Sequence, residues 1–350
     1  MEKQRLIFPQ DLEQTLSEEL ALCHYDRLFV LVDETTRKYC LPIVGGFSCL
    51  ANAEVITIPA GDQHKTLDSV SHVWAGLQNL GATRHSLMVN LGGGMVTDLG
   101  GFAASTFKRG IRFINMPTTL LAMVDASVGG KTGFNFGGLK NEVGVFSNAD
   151  AVVIDTVFLK TLDRENILSG YAEMLKHGLI STEKMWAELL NFDVEEPPLA
   201  NLQRMVSDSV DVKEHIVLED PKEQGIRKAL NLGHTVGHAF EALALTRKPV
   251  LHGYAVAWGL VCELYLSAVK TGFPVDKMRQ TVRFIFDHYG RMPITCDDYP
   301  TLLRLMTHDK KNTAGRINFT LLGAIGDIRI NQNATTEEIS EALDFFREGS

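Results

Sequence analysis

Over the first 150 residues, short apolar runs alternate with longer mixed ones, and no other feature limits the fold as much. Arg27–Asp33, Glu54–Pro59, Ser86–Leu91, Ile111–Met116 and Ala151–Asp155 are rich in Val and Ile and bounded by turn residues, the pattern of buried strands. Between them, Lys65–Leu80, Met95–Phe107 and Thr118–Asp125 read as helices. Strand–helix repetition of this kind predicts a parallel sheet with helices on both faces. From about Thr161 the period changes to near 3.6. Thr161–Ile180, Leu199–Leu218, Arg227–Leu245, Tyr254–Thr271 and Lys277–Tyr289 are predicted helices. Two short strands, Arg316–Leu321 and Asp327–Ile330, precede a last helix near Thr335–Arg347. The expected organisation is an α/β domain over residues 1–158 and a mainly helical domain over 159–350.

Charge narrows the function. The net charge is −9, so the chain has no global field for a phosphate backbone and is expected to bind no nucleic acid. The cysteines Cys23, Cys40, Cys49, Cys262 and Cys296 are odd in number and contain no CxxC pair, which fits reduced thiols in the cytosol. The first twenty residues carry scattered charges and no apolar signal core. Charge-free apolar stretches such as Leu41–Ala53 fall short of the ~20 residues that span a bilayer. A soluble cytoplasmic protein without a membrane partner is expected.

Several segments carry chemistry-bearing residues. Gly92-Gly93-Gly94 follows a predicted strand and opens a predicted helix. Such a turn suits a dinucleotide pyrophosphate, though glycine there also serves purely steric needs. Asp33, at a strand end, can receive a ribose hydroxyl or cap the next helix. His234 and His238 are four apart and share a helix face, the spacing by which one helix offers two imidazoles to a metal. Without a third ligand, the same pair reads as two satisfied histidines. His252 opens the following helix, and Glu173 sits on an otherwise apolar face where a carboxylate needs a cation or a metal. The glycine-rich segment Asp125–Asn141 contains Lys131 and Lys140. With Lys213, Arg227 and Lys310 these are either solvated charges or a convergent set for a dianionic ligand.

In order and spacing, these segments resemble the 3-dehydroquinate synthases of the sugar phosphate cyclase family. The matching stretches are Gly92–Phe102, Arg109–Ile111, Met116–Asn135, Ser169–Gly178, Gly225–Glu241, Leu251–Gly253 and Asp309–Asn312. The resemblance implies a Rossmann-like N-terminal domain that holds NAD, a helical C-terminal domain that carries metal and substrate, and a homodimer. It implies zinc, with cobalt suiting the same ligands, on Glu173, His234 and His252, and turns His238 toward the substrate. It also implies NAD contacts at Asp33, Asp62, Lys65, Gly93, Gly94, Asp98, Thr118, Thr119, Lys131, Lys140, Thr161 and Leu162. Asp125, Lys176, Lys213 and Asn231 would meet hydroxyls or the carboxylate, and Arg227 and Lys310 the anionic ends. Lys131, Asn141 and His238 would surround the phosphate, with Arg109 arriving from the partner subunit.

The implied reaction converts 3-deoxy-D-arabino-heptulosonate 7-phosphate to 3-dehydroquinate and phosphate, a step of aromatic amino acid biosynthesis. Asp62 stands where the family commonly has Glu, and Asn166 where it often has the Glu of an Arg-Glu pair. Two rivals share much of the pattern: a cyclase making an inosose or valiolone, and a metal-dependent polyol dehydrogenase. Lys213, Arg227 and His238 favour a carboxylate-bearing substrate over the first. The wealth of anion-binding side chains disfavours the second, because a polyol has no charge to match.

Overall fold

The computed structural model describes residues 4–137, 139–195, 198–307 and 317–349. The chain forms two compact units, Met1–Asp163 with Pro198–Val210, and Arg164–Pro197 with Asp211–Ser350.

The first unit is built on a six-stranded sheet. In chain order its strands are β1 (Arg5–Ile7), β2 (Leu28–Asp33), β3 (Glu54–Ile58), β4 (Leu87–Gly92), β5 (Arg112–Pro117) and, after a hairpin of β6 (Lys131–Phe136) and β7 (Leu139–Phe146), β8 (Ala151–Val153). The spatial order is β1-β8-β5-β4-β2-β3, and every pairing in the sheet is parallel. Every residue of β2 and β4 is buried, as expected where helices cover both faces. The polar exception on β4, Asn90, donates to Asn115 Oδ1 on β5 at 2.8 Å.

The five predicted strands are present with ends shifted by a residue or two. Several elements are additional, among them the helices Glu34–Tyr39 and Leu41–Val44. β1 is a three-residue edge strand whose identity comes from pairing with β8. The helix Leu12–Leu22 is capped by Asp11. The β6–β7 hairpin occupies a segment read as a glycine-rich loop. β7 is exposed along most of its length, so it has no buried face to show in its sequence. Gly133 faces Gly144 across the pair, where a Cβ would lie 2.4 Å from the Val143 carbonyl oxygen. The predicted helix Thr118–Asp125 is instead a short turn ending in a π-helical segment, Ala122–Ala126.

The second unit is mainly helical and also carries the antiparallel pair β9 (Asn318–Ala324) and β10 (Asp327–Asn333). The helix His252–Thr271 runs through its core, with Trp258, Leu260, Val261 and Leu264 buried. It packs on the helices Arg164–Leu179, His234–Leu245 and Val275–Tyr289. Arg227–Leu245, predicted as one helix, is two elements. A 3-10 turn spans Ile226–Asn231, and Gly233 at φ +81° breaks the chain before the helix restarts at His234. The helices Glu183–Asn191 and Tyr299–Thr307 are further additions. The helix Leu199–Glu219 belongs to both units. In its first part, Gln203 accepts from the Thr156 amide at 2.9 Å and donates to the Ile154 carbonyl at 3.1 Å. Among the described residues, no helix is long and apolar enough to cross a membrane.

Candidate active site

In the first unit, β2 continues to β3 on one side while β4 and β5 lie on the other, so the order of strands along the sheet reverses between β2 and β4. Ligands of open parallel sheets bind at the carboxyl ends beside such a switch point. Asp33 ends β2, Gly92 ends β4 and leads through Gly93 to the helix that opens at Gly94, and Thr118 and Thr119 follow β5. The last two turns are joined by the Thr118 amide, which donates to the Gly92 carbonyl at 3.0 Å. The helix Gly94–Thr106 starts at Gly93 without a side-chain cap, leaving its first amides to a ligand or solvent. A Cβ on Gly93 would come 3.0 Å from Thr119 Cγ2, and one on Gly94 3.1 Å from Ala126 Cβ, so only bare backbone leaves the cradle open. Asp33 is also a helix cap, with Oδ1 accepting from the Thr36 amide at 2.7 Å.

One turn into that helix, Asp98 accepts from buried Lys65 Nζ at 2.5 Å. The same ammonium donates to Asn141 Oδ1 at 2.6 Å, and Lys140 pairs with Asp62 at 3.2 Å. The hairpin tip is therefore tied to the segment before the helix Leu67–Asn79. Lys131 opens β6 and is exposed, and half-buried Asp125 lies on the π-helical turn. In the 3-10 turn Thr156–Thr161, Thr161 Oγ1 donates to the Phe158 carbonyl at 2.7 Å, and Leu162 caps the end. Arg109 is exposed at φ +72°, directly after Lys108 at φ +50°, a left-handed pair that non-glycine residues seldom adopt.

In the second unit, three helices bring Glu173, His234 and His252 together, with one ligand atom from each within 4.8 Å of the others. His234 Nε2 is 3.3 Å and His252 Nε2 3.4 Å from the same oxygen, Glu173 Oε1. The other ring nitrogens are engaged: His234 Nδ1 lies 3.1 Å from the Leu232 carbonyl and His252 Nδ1 3.5 Å from Glu241 Oε2. Both imidazoles are thus oriented with Nε2 toward one point, the arrangement that outer partners impose on metal-bound histidines. Glu173 is fully buried and pairs with Lys176, yet neither carboxylate oxygen receives a well-formed hydrogen bond. Burial pushes the Glu173 pKa up, but Lys176 and His234 outweigh it and hold the carboxyl well below its usual range. Burial likewise lowers the His252 pKa, and Glu173 and Glu241 reverse this, raising it to about 10. A buried carboxylate with unsaturated oxygens facing two oriented imidazoles is a donor set that fits a divalent cation.

Close backbone contact sets this convergence. Gly253, next to His252, donates its amide to Ser169 Oγ at 3.1 Å, and a Cβ there would lie 1.8 Å from the Ser169 carbonyl oxygen. Ser169 is one turn before Glu173 on the same helix. Gly253→Ala is expected to force these helices apart, destabilising the unit by about 1–3 kcal/mol and weakening metal affinity. Urea unfolding midpoints and chelator competition check the two effects.

Around the triad, His238 and Glu241 share with His252 a second cluster of ligand atoms. Lys213 and Arg227 are buried. Arg227 Nη1 donates to the Pro221 carbonyl at 2.7 Å, and Asn231 Nδ2 donates to Glu223 Oε1 at 2.9 Å. Lys310 lies outside the described residues. Glu241, Glu263 and Ser169 were not singled out in the sequence. For Glu241 a signal existed, since His234, His238 and Glu241 follow i, i+4, i+7 on one helix face.

Two family models match consecutive parts of the chain, 3-dehydroquinate synthase N-terminal over residues 55–169 and 3-dehydroquinate synthase C-terminal over residues 170–312. A 3-dehydroquinate synthase of Parabacteroides distasonis is 55% identical over 349 residues, covering 99% of each chain. One from Pyrococcus furiosus is 38% identical, covering 94% of each. Among solved structures, a 2-deoxy-scyllo-inosose synthase complexed with carbaglucose-6-phosphate, NAD+ and Co2+ shares the fold at TM-score 0.84 and 22% identity, covering 99% of this chain and 96% of that one. A 2-epi-5-epi-valiolone synthase of Streptomyces hygroscopicus with NAD+ and Zn2+ bound also gives TM-score 0.84, at 24% identity, covering 100% and 98%. The sheet, the helical unit and the full-length matches lead to one assignment: the chain belongs to the 3-dehydroquinate synthase family.

Proposed function

We propose that the protein converts 3-deoxy-D-arabino-heptulosonate 7-phosphate to 3-dehydroquinate and inorganic phosphate, as a cytoplasmic homodimer that uses NAD and a divalent cation, zinc or cobalt. The observation that carries this reading is the aim of His234 Nε2 and His252 Nε2 at one oxygen of buried Glu173. When bound, the cofactor would accept and return a hydride while the cation acidifies the substrate hydroxyl to be oxidised. Residues 1–158 are assigned to NAD and residues 159–350 to metal and substrate.

The chain's own groups bind, orient and neutralise. The capless start of the helix Gly94–Thr106 offers amides to the pyrophosphate, with Asp33 for a ribose and Asp62, Lys65, Asp98, Thr118, Thr119, Thr161 and Leu162 around the dinucleotide. Lys131 and Lys140 are assigned to the cofactor side as well. Glu173, His234 and His252 would hold the cation. Lys176, Lys213 and Asn231, with Asp125, would hold hydroxyls and the carboxylate. Arg227 and Lys310 would take the anionic ends, and Lys131, Asn141 and His238 the departing phosphate. Positioned charges of this kind hold one substrate through successive poses.

The test is a single-pot assay with the heptulosonate phosphate, NAD and zinc. Phosphate should appear with no net NADH. Steady NADH accumulation with a polyol would overturn the reading in favour of a dehydrogenase.

Two further outcomes are expected. At neutral pH the metal-free His252 carries a proton, because its pKa is raised to about 10, and a bound cation must expel it. Metal affinity should therefore fall about tenfold per pH unit as pH drops from 8.5 to 6.5. A flat profile in chelator competition would contradict this. Second, Arg109→Ala and His234→Ala dimers, each inactive, should regain about a quarter of wild-type activity when dissociated, mixed and reassembled, because one site per mixed dimer is complete. No recovery would place Arg109 in its own subunit's site, and an active Arg109→Ala dimer would place it outside any.

A further inference from the structure

The helix that carries His234 begins at Gly233, which has no side chain to cap the amides of the first turn. A larger residue does not fit there. The backbone is at φ +81°, and a Cβ would lie 2.8 Å from Leu260 Cγ and 3.0 Å from the Val256 carbonyl oxygen. The cap comes from the neighbouring helix. Fully buried Glu263 accepts from the Gly233 amide at 2.6 Å through Oε2, and from the Thr235 and Val236 amides at 2.9 and 3.1 Å through Oε1. The two oxygens of one carboxylate thus hold the amides on either side of His234. Glu263 lies about three turns beyond His252 on the same helix, so one element supplies one imidazole and grips the backbone of the other.

We infer that Glu263 is a positioning residue for the metal centre, fixing the first turn around His234 and hence the aim of its Nε2 at the point shared with His252 and Glu173. The inference rests on the proposed metal-binding role of that triad. The carboxylate suits the task because it presents two acceptors to three donors at the positive end of a helix. A glutamine would keep one acceptor and turn an NH2 group toward an N–H.

The experiment loads wild type, Glu263→Gln, Glu263→Asp and His234→Ala with Co2+. It reads the Co2+ dissociation constant by competition with a chromophoric chelator, the visible Co2+ absorption bands, the NAD affinity and the unfolding midpoint of each metal-free protein. Glu263→Gln is expected to weaken Co2+ binding by about tenfold or more and to shift the bands, with NAD affinity unchanged. A wild-type dissociation constant and spectrum in Glu263→Gln would overturn the inference, however far its unfolding midpoint falls. If that variant does not fold, Glu263→Asp decides. Its shorter stem should pull the turn and shift the bands, and a wild-type spectrum and affinity would overturn the inference. If wild type binds Co2+ no better than His234→Ala, the metal reading itself fails and the inference falls with it.

Discussion

Replacing His234 by alanine should lower turnover roughly a thousandfold or more, about 4 kcal/mol in the barrier, while leaving NAD affinity close to wild type. His234 contributes one of the two Nε2 atoms aimed at Glu173 Oε1. His238, one turn away, clusters with Glu241 and His252. The residues proposed to hold the dinucleotide belong to the other compact unit, so dinucleotide binding and metal binding should separate in the variant. Tryptophan-quenching titration with NAD, beside phosphate-release kinetics in metal-buffered solution, would show the separation. Full activity of His234→Ala in chelator-treated buffer would remove the metal from the reaction.

The largest effect on stability is expected at Glu173. The side chain is wholly buried, and Lys176 beside it is 1% exposed. Glu173→Ala leaves that ammonium in the core without its counter-charge and opens a cavity. The loss should be about 3–5 kcal/mol, because breaking one side of a buried ion pair strands the other. Glu173→Gln keeps the volume and removes only the charge, so the difference between the two variants isolates packing. Chemical unfolding of the metal-free proteins provides the measurement. If Glu173→Ala unfolded at the wild-type urea concentration, the cluster would carry no part of the unit's stability.

Much of this architecture is legible in residue order. β2 and β4 are buried on both faces, so they appear as mostly apolar runs of Leu, Val, Phe and Met, interrupted on β4 only by Asn90, that need no tertiary information to recognise. The glycine turn after β4 is visible for the same local reason. β1 and the β6–β7 hairpin are not legible, because an edge strand of three residues and an exposed ribbon have no one-sided apolar pattern. The break at Gly233 is hidden in a helical period that continues across it. The sequence offers Glu173, His234 and His252 as candidates, but spacing alone pairs His234 with His238, because it sees only neighbours on one helix.

Residue order settles the local choices: which runs become strands and which residue types can hold a cation or an anion. These follow from side-chain periodicity and backbone freedom, which act over a few residues. What holds His234 and His252 in aim emerges only once the helices have packed. Gly253 against Ser169, and Glu263 against the amides flanking His234, are contacts between helices far apart in the chain. Their strength lies in close packing and charge–amide bonding in a dry interior, and neither quantity exists until the helices meet.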